Sequence, residues 1–162
     1  LLVSPVRPPV IILAKLVPYL LVGMINIVVI LLISVFILNV PIAGNIFLLF
    51  LVGTIFTLSS LALGIMVSVL TKTQRSAIII SIAGLMLPAI TLSGFIFPLG
   101  SLSLLMKVIV HLMPVTLFIS AARNIMIKGL GMDAVYPELF GLIVITVVLI
   151  VISIKCFKNR LS

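Results

Sequence analysis

Apolar residues in this chain form long unbroken runs, and the charged residues lie between the runs. From Leu16 to Thr71 there is no Asp, Glu, Lys or Arg, and a second charge-free run extends from Ser76 to Met106 and a third from Leu139 to Ile154. A helix needs about 20 apolar residues to cross a bilayer core, so these runs hold several spans. Breaker residues divide them. Three prolines among the first nine residues forbid a regular helix through Pro9. The first span is therefore placed at about 16–38, with Pro18 in its first turn, where a missing N–H costs little. Asn39-Val40-Pro41 and Ala43-Gly44-Asn45 read as a tight loop. A second span follows at about 46–70, then the basic turn Thr71-Lys72-Thr73-Gln74-Arg75, then a third span at about 76–96 with Pro88 inside it. A last span is predicted at about 137–154, closing on Lys155, Lys158 and Arg160.

The stretch 101–128 is apolar too, but Pro114 splits it into two pieces of about a dozen residues, interrupted by Lys107, His111 and Arg123. Pieces of that length are more often re-entrant or interfacial than spanning. Charge gives an independent argument. If this stretch folds back as a hairpin, Arg7, Lys15, Lys72, Arg75, Lys155, Lys158 and Arg160 share one side of the membrane. Only Lys107, Arg123 and Lys128 then lie opposite, together with Asp133 and Glu138. That asymmetry matches the excess of Lys and Arg on cytoplasmic faces. The expected fold is an all-α, polytopic membrane helix bundle. It has four transmembrane helices and a re-entrant extracytoplasmic hairpin, with both ends of the segment in the cytoplasm.

Composition agrees. The 162 residues are 64% hydrophobic and 7% charged, with a mean hydropathy of +1.63, outside the range of ordinary globular domains. No separate soluble domain fits in this length. The net charge of +8 reads as membrane-topology charge at helix ends, not as a nucleic-acid surface. The single Cys156 has no partner for an internal disulfide. The chain begins at Leu1 inside an apolar stretch without a signal-peptide pattern, so it is expected to be a fragment of a longer protein.

Within the spans, small residues follow helical spacing: Gly53, Thr57, Ser60, Gly64 and Ser68 in the second, and Ala77, Ser81, Gly84, Pro88 and Thr91 in the third. Small faces let helix backbones approach closely in lipid; the alternative is that one face lines a path or a dimer seam. Asn26 is the one amide deep in a span, a candidate for bonding to another helix or for a substrate contact. Metal and acid–base chemistry are disfavoured. His111 stands alone, and the acids Asp133 and Glu138 are placed outside the spans. No G-x-x-x-x-G-K-[ST] loop occurs, so no nucleotide site of that kind is expected.

The order of several short motifs resembles one family. Ser4-Pro5-Val6-Arg7-Pro8 and Lys15-Leu16-Val17-Pro18-Tyr19 are followed far downstream by Ser93-Gly94-Phe95-Ile96-Phe97-Pro98. After these come Met113-Pro114-Val115-Thr116, Ala122-Arg123-Asn124-Ile125 and Lys128-Gly129. Over essentially the whole chain this is similar to ABC-2 type transporter permeases, especially their bacterial drug-exporter branch. Val10, Ala14 and Ser103 depart from the residues usual in that pattern. The resemblance implies a membrane subunit without catalytic residues, working with a separate ATPase subunit that carries ATP and Mg, and with a second permease subunit. It implies export of a hydrophobic or amphipathic, drug- or lipid-like substrate across the bacterial cytoplasmic membrane. It also implies that two spans and an extracytoplasmic domain precede this segment, and that a coupling helix lies just before it. Arg7, Lys72 and Arg75 then become candidates for the ATPase-coupling face, with lipid headgroups as their other possible partner. Phe97, Pro98, Pro114 and Arg123 become candidates for the hairpin and gate. Pro88 with Gly84 and Gly94 offers a point of bending or a packing accommodation. A non-transporting membrane scaffold and a secondary transporter are the rival readings. The missing intramembrane acids and absent internal repeat disfavour the second rival.

Overall fold

The computed structural model describes residues 8–92 and 113–161. Its elements are α1 (Pro8–Phe36), α2 (Ile46–Leu70), α3 (Gln74–Ile80), a π-helical segment (Ser81–Met86), α4 (Leu87–Leu92), α5 (Pro114–Met126) and α6 (Met132–Leu161). No strand occurs among the described residues. In lipid the backbone must satisfy its own N–H and C=O groups, and an apolar chain does so by helix. Three helices are long and apolar enough to cross a membrane: Leu16–Phe36, Ile46–Leu70 and Met132–Cys156. The chain is therefore a multi-pass membrane segment. The predicted third span is described as far as Leu92; its last residues, and the first half of the predicted hairpin, lie outside the described residues.

The apolar span of α1 runs Leu16–Phe36, starting where the sequence placed it. Helix boundaries correct the sequence reading in two places. The helix carrying that span extends back to Pro8, so the early prolines do not exclude helix there. Pro8 and Pro9 occupy its first turn, where the N–H groups have no intrahelical partner to lose. Pro18 consequently lies in the helix interior. Helix α6 begins at Met132 instead of Pro137 and continues through Lys155 to Leu161, so Pro137 falls within its first two turns. Both acids, Asp133 and Glu138, are thus helical, and both lie within the third apolar span.

The turns explain themselves locally. Helix α1 ends where Asn39 takes a left-handed conformation (φ 50°). This lets Val40 N–H reach the Ser34 carbonyl at 2.9 Å. Asn45 caps α2 by accepting from Phe47 N–H at 2.8 Å, and Thr73 caps α3 by accepting from Ser76 N–H at 3.2 Å. At the π-helical segment Leu87 N–H bonds to the Ile82 carbonyl, one residue further back than in an α-helix. Pro88, next in sequence, has no N–H and its ring would crowd a regular preceding turn. Widening that turn accommodates it.

Packing centres on α2, α5 and α6. Leu48, Leu49, Val52, Leu117, Ala121, Ile125, Val135, Leu139 and Leu142 form one buried cluster where these three meet. Helices α2 and α6 lie in parallel register: Leu48–Val52 meet Val135–Leu142, and Ser59 meets Thr146 one level further along. By contrast α1 is peripheral, with 6% of its span window buried against 33% for α2. It touches α2 through small residues. Gly53 is 3.1 Å from Ile27 by the position a Cβ would take, and a Cβ on Gly23 would overlap the Thr57 methyl. Gly64, on the same predicted stripe, has no described neighbour within 4 Å of the position a Cβ would take.

This contrast is testable. Gly23→Val is expected to destabilise the detergent-solubilised protein by about 1–3 kcal/mol through overpacking, read as a lower unfolding temperature. Thr57→Gly in the same chain should recover part of it, and Gly64→Ala should leave it unchanged. Equal losses from Gly23→Val and Gly64→Ala would contradict the α1–α2 contact.

Candidate functional site

Helix α5 organises the most distinctive cavity. It has 13 residues, a length of about 20 Å, short of the roughly 30 Å hydrocarbon thickness. Pro114 is its first residue and is buried, as suits a residue without an N–H to place. One turn on, the Phe118 ring stacks on Phe56 in the middle of α2, with centroids 4.4 Å apart. At its far end, Ala43 N–H in the α1–α2 loop donates to the Met126 carbonyl at 3.0 Å. Gly44 would bring a Cβ to 2.5 Å from the Ile125 carbonyl oxygen, and Gly129 (φ 64°) faces Ala43 at 3.2 Å. Helix α5 therefore lies along one half of α2, from mid-helix to the Ile46 end.

Where α5 begins, a cavity of about 470 Å³ opens between it, α2 and the π-helical segment. Phe56, Ser60 and Leu63 line it from α2, Ser81, Leu85 and Met86 from the π segment, Ala89 from α4, and Met113, Pro114 and Val115 from the start of α5. Ser60 and Ser81 are the polar side chains among those lining residues. Methionine and aromatic walls adapt to varied apolar shapes, while two hydroxyls can satisfy a ligand's hydrogen-bonding group. None of the described lining residues is titratable, so none of them could transfer a proton. A second cavity of about 410 Å³ between α1 and α2 is lined entirely by apolar residues.

The predicted residues divide accordingly. Ser60, Ser81 and Pro114 come together at the larger cavity. Gly53 and Thr57 instead pack against α1, and Thr57 returns its hydroxyl to the Gly53 carbonyl at 2.9 Å. Gly64 and Gly84 are exposed, the latter with only Ile80 near it. Pro88 is half-buried just past the π turn. Asn26 is exposed and makes no hydrogen bond among the described residues. Arg123 lies exposed in the last turn of α5, where a cation complements the helix carbonyls. Lys72 and Arg75 are exposed beyond the Leu70 end of α2. Arg7, Phe97 and Pro98 lie outside the described residues.

Two polar contacts escaped the spacing argument. Ser59, fully buried beside the exposed Ser60, shares a hydrogen bond with the Thr146 hydroxyl, which donates on to the Leu142 carbonyl at 2.6 Å. A stripe drawn through Ser60 steps over Ser59. Glu138 accepts from Ser120 Oγ at 3.0 Å and Asn124 Nδ2 at 3.2 Å, tying α5 to α6. The i, i+4 spacing of Ser120 and Asn124 was the available signal.

Comparison with known proteins identifies the family. The model of the family described as "ABC-2 type transporter" matches residues 1–127. The chain belongs to that family. It is 35% identical to a probable multidrug ABC transporter permease, YbhS, of Escherichia coli K12 over 117 residues, 72% of this chain and 31% of the relative. It is 32% identical to the probable multidrug ABC transporter permease YbhR of the same organism over 146 residues, 90% of this chain and 39% of the relative. An ABC transporter G family member 20 from Dictyostelium discoideum is 32% identical over 151 residues, covering 85% of this chain and 20% of that protein. The chain thus spans less than two fifths of the length of these relatives. No solved structure matches it.

The site makes a simple labelling prediction. With Cys156→Ser as background, Ser60→Cys and Ser81→Cys should react with a small lipophilic thiol reagent. Ser59→Cys, one residue away but enclosed between α2 and α6, should not. Equal reaction at positions 59 and 60 would remove the cavity assignment.

Proposed function

We propose that this chain forms part of the permease subunit of an ATP-driven exporter, which moves a hydrophobic or amphipathic, drug- or lipid-like substrate outward across the cytoplasmic membrane by alternating access. The observation that carries the reading is the apolar cavity, with its two hydroxyls, between α2, the π-helical segment and α5 in a chain of the ABC-2 type transporter family. Relatives described as multidrug ABC transporter permeases support it. Within this proposal a separate ATPase subunit holds ATP and Mg and a second permease subunit completes the transporter. A ligand or a partner shifts such an equilibrium only through unequal affinity for the two states. A cavity with one wall on α2 and another on a helix interrupted at Ser81–Met86 is suited to changing shape.

The proposed topology has four spans, with α5 as the returning arm of a re-entrant extracytoplasmic hairpin. The short α5, running from mid-α2 to the α1–α2 loop, supports that arrangement. Lys72 and Arg75 then lie at the cytoplasmic end with Arg7, available to the ATPase surface, and Lys155 continues the same basic end.

Two measurements test this. Purifying the full-length permease in mild detergent, and again in lipid nanodiscs, should bring an ATPase whose hydrolysis rate responds to hydrophobic compounds. Absence of an ATPase from both preparations would favour a membrane scaffold or a secondary transporter. Cysteines at Asn45 and Lys128 should be reached by an impermeant reagent from outside and a cysteine at Thr73 from inside; a cytoplasmic Lys128 would overturn the hairpin.

A further inference from the structure

We infer that Glu138 is a positioning residue that latches α5 to α6, so that α2, α5 and α6 move as one body while the α3–α4 segment moves against them. The functional half of this inference rests on the transport reading; the structural half does not. The chain has two acids. Asp133 is exposed at the start of α6, whereas Glu138 is drawn inward, with Oε1 accepting from both Ser120 and Asn124 and Oε2 buried without a partner among the described residues. Arg123, between those two donors in sequence, is exposed and makes no ion pair with it among the described residues. A carboxylate half-withdrawn from water is costly unless its bonds are worth keeping. These bonds join the two helices at the level where nothing else polar does so among the described residues. Three further contacts hold α5: Leu117 packs within 3.0 Å of where a Gly141 Cβ would sit, Phe118 stacks on Phe56, and Met126 accepts from Ala43. The α3–α4 segment is packed more lightly among the described residues, since neither α3 nor the π turn buries a residue there. The cavity lies on the boundary between the tightly and the lightly packed parts.

A neutral acceptor can replace the latch; an apolar residue cannot. In the full-length permease with its ATPase, Glu138→Ala should lower the amount of rhodamine 6G moved per ATP hydrolysed by about tenfold, the scale of one lost hydrogen bond to a charged group. Hydrolysis itself should continue, and Glu138→Gln should restore coupling. Hydrogen exchange should quicken at residues 114–126 in Glu138→Ala and stay unchanged at 46–70. Should Glu138→Ala fail to assemble, Ser120→Cys with Glu138→Cys in a Cys156→Ser chain replaces it: bridging the pair with a short bis-maleimide should restore coupling and slow exchange in α5. A bridge that stops transport would overturn the one-body motion, because the junction would then have to open. Unchanged exchange in Glu138→Ala would overturn the latch itself. Altered exchange without dye transport in the unmodified protein would leave the latch standing and count against the transport reading.

Discussion

Lipid offers no hydrogen bonds, and every departure from a regular helix in this chain is a local answer to that constraint. Where α1 stops, Asn39 turns left-handed so that the last carbonyls still find donors. Before Pro88, whose missing N–H would break an ordinary turn, the helix widens and Leu87 reaches back to Ile82. Where α5 stops, its Met126 carbonyl is met by an N–H from the α1–α2 loop. Helix, loop and cavity follow from these substitutions of one partner for another, and the cavity sits beside the widened turn.

Once backbones satisfy themselves, helices associate by fit. The hydrophobic effect gives little between helices that are already in lipid, so close approach and occasional polar contacts decide the pairs. Gly23 and Gly53 admit α1 to α2. The Ser59–Thr146 pair and the Glu138 bonds mark the two levels at which α6 is fixed, one against α2 and one against α5. Small residues act only where a neighbour crosses. Gly64 continues the same stripe and meets no neighbour among the described residues.

That distinction explains what was legible in the sequence. Charge-free length and the breakers at Asn39–Asn45 and Thr71–Arg75 located α2 to the residue, because capping chemistry is local. The motifs from Ser93 to Lys128 identified the family before any geometry was available. The extension of α1 back to Pro8 and the start of α6 at Met132 were missed since proline tolerance depends on its position in the first turns, which spacing alone does not reveal. Ser59 was passed over for Ser60, and Glu138 was set outside the membrane helices. Both errors have one cause: which face of a helix is buried depends on partners, and a nearly uniform apolar span carries almost no record of its buried side.

The bond between Ala43 and Met126 also has a consequence for the order of assembly. The α1–α2 hairpin leaves the ribosome long before α5 exists, so its connecting loop is made with an N–H whose eventual partner, the Met126 carbonyl, lies far downstream in the chain. Until α5 arrives, water or a lipid headgroup must hold that place, and the loop has no single shape. Arrival of α5 exchanges this provisional partner for a carbonyl and, with Gly44 and Gly129 closing over it, seals the hairpin. The loop's hydrogen bonding is thus completed only once α5 has packed against it.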